Sequence, residues 1–314
     1  MCIRDRYTFL LQKRAEAQIQ KASNRPDNEI IDPPRADPEP IAPNKIRLYI
    51  IAFILGIGFP ILVLSLGNLI HNKISSEDDI KIISDLPIVG HIPHSRLSYY
   101  TVVLNEPQSI IAESFRSLRT RMEFFIKDVN CPIIVVSSAM PGDGKTFAAI
   151  NLASAYSLTG KRTLLIGFDL RRPNLSKSFE MNGSIGLSTY LIGKHSYDKI
   201  IFETGFPNLD IVPSGPIPPN PGELASSEKA KKLLSILRNQ YDFIIIDSAP
   251  IGTVADGFIV ASMADATIIM VRHNQTNKHF LSATLSEAQS NEINGLSLVV
   301  NDLRIKRTLS LIHI

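Results

Sequence analysis

Three kinds of hydrophobic pattern divide this chain. Tyr7 to Ala22 (YTFLLQKRAEAQIQKA) is rich in strong helix formers, with Phe9, Leu10, Ala17 and Ile19 as an apolar stripe, and it breaks at Asn24-Arg25-Pro26. Leu48 to Gly67 (LYIIAFILGIGFPILVLSLG) is apolar all round, carries no charge, and continues to Ile70. A helix rising ~1.5 Å per residue over that run covers the ~30 Å hydrocarbon core of a bilayer. Gly56, Gly58, Pro60 and Gly67 would weaken a soluble helix but are commoner in membrane helices. A buried core helix is the competing reading; a secretory signal is excluded by the long polar segment in front.

From about Pro107 onward, short apolar runs alternate with longer amphipathic ones, the pattern of a doubly wound α/β fold. Strands are predicted at Ile133–Ser137, Thr163–Phe168, Leu209–Val212, Phe243–Asp247, Ala266–Val271 and Leu296–Asn301. Helices are predicted at Ser109–Lys127, from Thr146 to Leu158, Gly222–Asn239, Val254–Met263 and Lys278–Ser290. The strand candidates read IIVV, LLI, FIII and TIIMV, continuous rather than alternating, as parallel strands covered on both faces do. Between the patterned regions, Ile31 to Asn44 holds five prolines and reads as an extended segment, and Ser75 to Ser95 reads as a polar linker ending in LPIVGHIPHS.

Composition narrows this picture only slightly. The chain is 44% hydrophobic and 20% charged, enough to bury a substantial core. A net charge of +3 with no basic stripe interleaved with aromatics excludes a nucleic-acid surface. Its two cysteines, Cys2 and Cys131, make no disulfide framework, and Cys131 beside the apolar run 132–136 reads as a buried thiol. The first and last hexapeptides, MCIRDR and LSLIHI, fit neither neighbouring pattern and resemble translated sequencing-adapter sequence, so the chain is expected to be a fragment.

The candidate chemistry lies between the first predicted strand and the helix after it. Ala139-Met-Pro-Gly-Asp-Gly-Lys-Thr146 is a phosphate-binding P-loop with alanine in place of the first glycine. Pro141, Gly142, Asp143, Gly144, Lys145, Thr146 and Phe147 are the candidate nucleotide-binding residues. The glycines permit a tight turn whose N–H groups face phosphate oxygens, Lys145 reaches the terminal phosphates, and the Thr146 hydroxyl ligates Mg²⁺. The positive end of the helix behind it favours the same anion. A metal also needs a carboxylate, and Asp247 closes the apolar strand YDFIIID as a Walker B aspartate does. A second acid-tipped strand, LLIGFDLRRP, offers Asp169 and Arg171, with a turn cap as the plain alternative for Asp169.

These three strands in this order resemble the bacterial tyrosine kinases, the cytoplasmic domains of polysaccharide co-polymerases for capsule and exopolysaccharide. That family carries a second Walker-like strand of the form hydrophobic-Asp-x-Asp-x-Arg, and Asp169 and Arg171 match its second Asp and its Arg. The stretches IDPPRADPEPIAPNK, LPIVGHIP and GPIPPNPGELASS also look like the family's, so the resemblance runs from about Tyr7 to Lys306. The resemblance implies ATP and Mg²⁺ as cofactors and a P-loop kinase fold with a mostly parallel sheet, preceded by a transmembrane helix. Lys145, Asp169, Asp247 and Arg171 would be catalytic, and Thr146, Asp169 and Asp247 would serve the metal. Asn301 would contact adenine, Asp256 would line the site, and Arg171 or Arg172 would steady phosphate. Glu113, Arg116 and Arg119 match the family's E-x-x-R-x-x-R motif, which joins subunits into a ring, an octamer by resemblance. They share one helix face opposite Ile111, Phe115, Leu118 and Met122, and a solvated face with local ion pairs is the alternative use.

The same resemblance allots residues 1–24 to the end of a periplasmic helix and 25–47 to a proline-rich periplasmic approach. It makes 48–70 the transmembrane helix, 71–106 a cytoplasmic linker, 107–306 the kinase domain and 307–314 an artefactual tail. Lys45 and Arg47 on one side and Lys73 and Lys81 on the other leave the positive-inside balance even. Cytosolic ATP decides it, placing the nucleotide site inside the inner membrane. Implied partners are a polysaccharide export machinery with an outer-membrane exporter and an opposing tyrosine phosphatase. Two departures stand out. Gly167 occupies the place of the family's first Asp, and all eight tyrosines lie at or before Tyr241, so the tyrosine-rich tail that is the usual substrate is not in this sequence. The readings that follow are a membrane-bound protein-tyrosine kinase, a chain-length regulator whose ATP binding drives assembly without phosphorylation, and, last, a ParA/MinD-like ATPase. Met140 stands where that third group carries an extra lysine.

Overall fold

The computed structural model describes residues 3–23, 44–70, 72–95, 97, 99–127 and 129–304. Most of the proline-rich approach and the whole of the 307–314 tail lie outside the described residues. The chain divides into two units, Met1–Leu64 and Ser65–Ile314. The first contains helix α1 (Ile3–Ser23) and most of helix α2 (Lys45–Ile70). Helix α2 keeps Pro60 inside it, and residues 45–64 have a mean hydropathy of 2.3 with no side chain buried. That exposure does not fit a soluble core helix; the segment is long and apolar enough to cross a membrane.

The second unit is built on an eight-stranded sheet. Its strands are β1 (Ile88–Pro93), β2 (Ile133–Ser138), β3 (Thr163–Gly167), β4 (Phe202–Glu203), β5 (Leu209–Val212), β6 (Phe243–Asp247), β7 (Ala266–Arg272) and β8 (Leu296–Leu303). Their order is β1-β8-β7-β2-β6-β3-β5-β4, and every pairing is parallel except β4 with β5. The central strands are buried on both faces. Ile133 and Val135 of β2 enter one core, with Ile244 and Ile246 of β6, while Ile134 and Val136 enter the other, with Ile245. That is why their sequences lack polar alternation.

The helices covering this sheet are α3 (Glu77–Ile83), α4 (Val102–Asn105), α5 (Ile110–Phe125), α6 (Lys145–Ser157), α7 (Leu175–Ser178), α8 (Leu187–Leu191), α9 (Pro221–Ala225), α10 (Glu228–Leu237), α11 (Ala255–Ala261) and α12 (Lys278–Ser290). Helix α5 starts where Ser109 accepts the Ala112 N–H, and it buries Ile111, Phe115, Leu118 and Met122, the stripe expected from its sequence. Helix α6 is buried on nearly every side; its alanines at 148, 149, 153 and 155 let it lie close under α5. The single helix expected over Gly222–Asn239 is two, because Ser227 breaks off from α9 and caps α10 by accepting the Ala230 N–H.

The reading of residues 71–106 as a linker needs correcting. Ile88–Pro93 is an edge strand paired with β8, and Val102 and Val103 of α4 are fully buried. Gly90 lies so close to α5 that an added Cβ would stand 3.1 Å from Leu118 Cδ1. An edge strand carries a weaker apolar signal than a central one, and His91 with Gly90 obscured it. Upstream, Ile74 N–H donates to the Thr276 carbonyl, and Asn274 and Lys278 N–H groups donate to the carbonyls of Ile74 and Asn72. The folded unit therefore begins about 35 residues before Pro107, with the first of these bonds at Asn72.

Candidate active site

Parallel strands present their carboxyl ends along one edge of the sheet, and ligands of open α/β folds bind there. On this edge β2 leads into the P-loop, β6 ends at Asp247, β3 leads to Asp169, β7 ends at Arg272 and β8 carries Asn301. The predicted residues therefore converge from four strands, and β7 adds Arg272 to them. A cavity of about 680 Å³ opens among them, lined by Pro141, Lys145, Thr146, Asp169, Arg172 and Arg272 with their neighbours.

Gly142 and Gly144 have φ of +93° and +96°, the left-handed region open to glycine, and they turn the loop sharply into α6. Lys145 bridges the two acids, with Nζ 2.9 Å from Asp169 Oδ2 and 3.6 Å from Asp247 Oδ1. Burial works to lower the lysine pKa, but Asp247 and Asp169 outweigh it and hold the ammonium charged. Asp247 is fully enclosed, and burial pushes its carboxyl up against the pull of Lys145 and the Thr146 hydroxyl. The Thr146 hydroxyl donates to Asp247 Oδ2 at 2.8 Å.

These residues fit a magnesium ion. Asp247 Oδ1 is buried and has no hydrogen-bond partner, so a carboxylate oxygen faces the site unsatisfied beside the Thr146 hydroxyl. Thr146 and Asp247 would hold the ion, leaving its other positions for water and phosphate oxygens, as Mg²⁺ prefers. Asp169 makes the turn cap weighed for it and also meets the P-loop lysine. Its Oδ2 meets Lys145, while its Oδ1 accepts the backbone N–H groups of Arg171 and Arg172, capping the turn after β3.

Four predicted residues are used differently from expectation. The Arg171 guanidinium is committed to Asp256, at 2.6 Å and 3.2 Å, while Arg172 stands beside it on the same cavity wall. The Asp143 side chain turns away from the cavity into the fold, accepting from the Met140 N–H within the loop and from the Thr276 hydroxyl. Burial pushes that carboxyl up to about 6. Asn301 spends its amide on the protein, Nδ2 donating to the Asp143 carbonyl and Oδ1 accepting the Asp302 N–H. Its Nδ2 lies where a Cβ on Gly144 would be, 2.0 Å away, so it braces the loop. Arg119 is drawn inward, its Nη1 donating to the Ala155 carbonyl near the end of α6, whereas Arg116 pairs with Glu113 at 2.6 Å in a more open setting.

Sequence reasoning missed three residues. Arg272 donates to the Gly142 carbonyl and to Asp302; Thr276 supports Asp143; Asn151, fully buried in α6, binds three backbone groups around it. Arg272 was findable as a charge at the end of an apolar parallel strand. Thr276 and Asn151 leave no such mark.

A family model described as an AAA domain matches residues 131–294, just over half of the chain. Tyrosine-protein kinase YwqD of Bacillus subtilis (strain 168) is 36% identical over 184 residues, covering 59% of this chain and 78% of that protein. The chain belongs to the bacterial tyrosine-protein kinases. Tyrosine-protein kinase ptk of Acinetobacter johnsonii is 31% identical over 310 residues, which are 95% of this chain but 42% of ptk, so the chain spans less than half of that relative. The solved BceF tyrosine kinase domain superposes with a TM-score of 0.68 at 29% identity, covering 74% of this chain and 100% of that one. This tyrosine-kinase fold is a P-loop α/β fold with a mostly parallel sheet, as its sequence pattern indicated.

Against that family background Gly167 gains meaning. It pairs with Asp247 across β3 and β6, and a Cβ added to it would stand 2.6 Å from Ser214 Oγ and 3.1 Å from Ser214 N and Leu175 Cδ2. The space beside residue 167 is filled by its neighbours.

Proposed function

We propose that this chain is the kinase-bearing part of a membrane-anchored, ATP-dependent protein-tyrosine kinase that regulates polymerisation and export of a capsular or exopolysaccharide. The observation that supports it most is the convergence of Lys145, Thr146 and Asp169 on one cavity, with Asp247 buried against Lys145 and Thr146, in a chain of the tyrosine-kinase family. Helix α2 is its anchor in the inner membrane, with the P-loop unit on the cytoplasmic side where ATP is available. A ring of copies meeting through Glu113 and Arg116, an outer-membrane exporter and an opposing phosphatase complete the reading, as the family resemblance implies.

The reaction joins a tyrosine oxygen to the γ-phosphorus of ATP and releases ADP. Such transfer asks a protein mainly for positioning and charge neutralisation. The loop N–H groups and Lys145 orient the phosphates, and Arg172 faces the same cavity as a further cation. Magnesium held by Thr146 and Asp247 would neutralise charge on the transferring group. Asp169 is the acceptor for the tyrosine proton, the one carboxylate near the loop that lines the cavity.

A second reading, a chain-length regulator in which ATP binding controls assembly without phosphorylation, is favoured by one observation, the glycine at 167. One experiment separates the two. The full chain in detergent, incubated with Mg-ATP and a tyrosine-rich peptide, is expected to produce phosphotyrosine, and Lys145→Ala to reduce it at least a hundredfold. A wild-type signal no higher than that of the Lys145→Ala variant would defeat the kinase reading.

A further inference from the structure

Two side chains on neighbouring strands hold successive carbonyls of the P-loop. Arg272, at the end of β7, donates through Nη1 to the Gly142 carbonyl at 2.9 Å. Asn301, on β8, donates through Nδ2 to the Asp143 carbonyl, also at 2.9 Å. We propose that Arg272, itself oriented by Asp302, is a positioning residue for phosphate binding. With Asn301 it turns two consecutive loop peptides so that their N–H groups face the phosphates. The inference rests on the nucleotide reading of the site and adds to it the residues that give the loop its polarity.

The geometry of the peptide bond carries the step. In a planar trans peptide the C=O and the following N–H point to opposite sides. Holding the Gly142 carbonyl toward Arg272 therefore turns the Asp143 N–H away from that side chain. Holding the Asp143 carbonyl turns the Gly144 N–H away from Asn301 in the same manner. Without these bonds both peptides could rotate at little cost, because Gly142 precedes the first and Gly144 follows the second, at φ of +93° and +96°. A rotated peptide would aim a carbonyl oxygen at an anion that N–H groups should cradle. The glycines that allow the tight turn thus leave its polarity open, and the two carbonyl bonds close it.

Arg272 is itself held firmly. Its Nε donates to Asp302 Oδ2 at 2.9 Å, so one rigid guanidinium serves both Asp302 and the loop. Asp302 has φ of +62°, a left-handed conformation uncommon outside glycine, and its N–H donates to Asn301 Oδ1. Such backbone conformations persist where the surroundings impose them, often beside functional sites. The Asp302 carboxylate also pairs with His94, just after β1. The Arg272 backbone is tied to the loop as well. Buried Thr276 accepts the Arg272 N–H at 2.7 Å and donates its hydroxyl to Asp143 Oδ1 at 2.8 Å. Arg272 also borders the phosphate cavity, which leaves a direct contact with the ligand as the rival use of its charge. The commitment of Nε and Nη1 to protein acceptors favours support over contact.

The test is calorimetric titration of the full chain in detergent with Mg-ATP and, separately, with magnesium tripolyphosphate. It is run well below the melting point of every variant, where affinity does not report global stability. Arg272→Ala is expected to weaken both ligands about ten- to a hundredfold, the range for a hydrogen bond from a charged donor. Arg272→Lys keeps the charge without the planar fork, and is expected to lose nearly as much. Asp302→Asn retains a side chain that tolerates the left-handed backbone. It is expected to weaken binding several-fold in the parent and to change nothing in the Arg272→Ala background, since the two residues act as one unit. Parent-like affinity in Arg272→Ala would overturn the proposal. Parent-like affinity in Arg272→Lys would make Arg272 a plain cation on the cavity wall and overturn it equally, as would the same loss from Asp302→Asn in both backgrounds. A loss confined to Mg-ATP would also overturn it, because the loop serves phosphates. Parent protein that bound neither ligand would overturn the nucleotide reading and this proposal with it.

Discussion

At the scale of single residues, position 167 is the most informative. The family pattern calls for an aspartate there, and the chain has glycine with Ser214 and Leu175 packed into the space a side chain would need. Gly167→Asp alone is therefore expected to destabilise the protein by about 1–3 kcal/mol, the usual cost of forcing atoms into a packed site. Adding Ser214→Gly should recover a large part of that loss, since two residues in contact do not act additively. Thermal melts of the two variants beside the parent check this, and identical melting of the single and double variants would refute it. Lys145, Thr146, Asp169 and Asp247 were all legible in the sequence because loop and strand ends mark them by position. The pairing of Arg171 with Asp256 was not, because those residues meet across 85 positions of chain. Nor was the inward turn of the Asp143 side chain, whose direction is set by Thr276 in the turn after β7, 133 positions away in the chain.

At the scale of elements, α5 shows how one helix face can mix surface and support. Arg116 and Arg119 lie three residues apart on it and look equivalent in sequence. Arg116 is salt-bridged to exposed Glu113, while Arg119 caps the carbonyl end of α6 through Ala155, where a cation is favoured. Reversing Arg116 to Glu is expected to reduce assembly size in sedimentation while leaving the melting temperature within about 2 °C of the parent, as surface changes of under ~0.5 kcal/mol do. Arg119→Glu is expected to lower stability by about 1–3 kcal/mol as well, because it removes a hydrogen bond from a charged donor and places a carboxylate against a carbonyl. A surface role shared equally by both would give equal melts. Central strands were predicted to within a residue or two, since double-sided burial writes itself as an apolar run. Edge strand β1 was not, nor the break between α9 and α10, where a serine cap overrides a continuous amphipathic pattern.

At the scale of the whole molecule, the class of fold and the membrane-crossing candidate were readable, but the extent of the folded unit was not. A sequence boundary at Pro107 follows polarity; the true one follows pairing. A P-loop unit starting at residue 107 would lose β1 and α4, exposing Val299 and Leu118, which β1 and its neighbours cover. It is expected to melt at least 10 °C below a version starting at residue 72, or not to fold, given that two elements and their apolar contacts are lost. Circular dichroism of the two lengths decides it, and equal melts would restore the linker reading.

The bonds just after α2 have a mechanical meaning. Residues 72–74 are laced by three backbone hydrogen bonds to the 274–278 turn, and Thr276 in that turn donates its hydroxyl to Asp143 of the P-loop. Tension entering the chain at residue 72 would not be taken up by a slack tether. It would load the 274–278 turn first and, one side chain later, the loop that grips phosphate, so a pull on the anchor end of this unit and the shape of its nucleotide site are parts of one linkage.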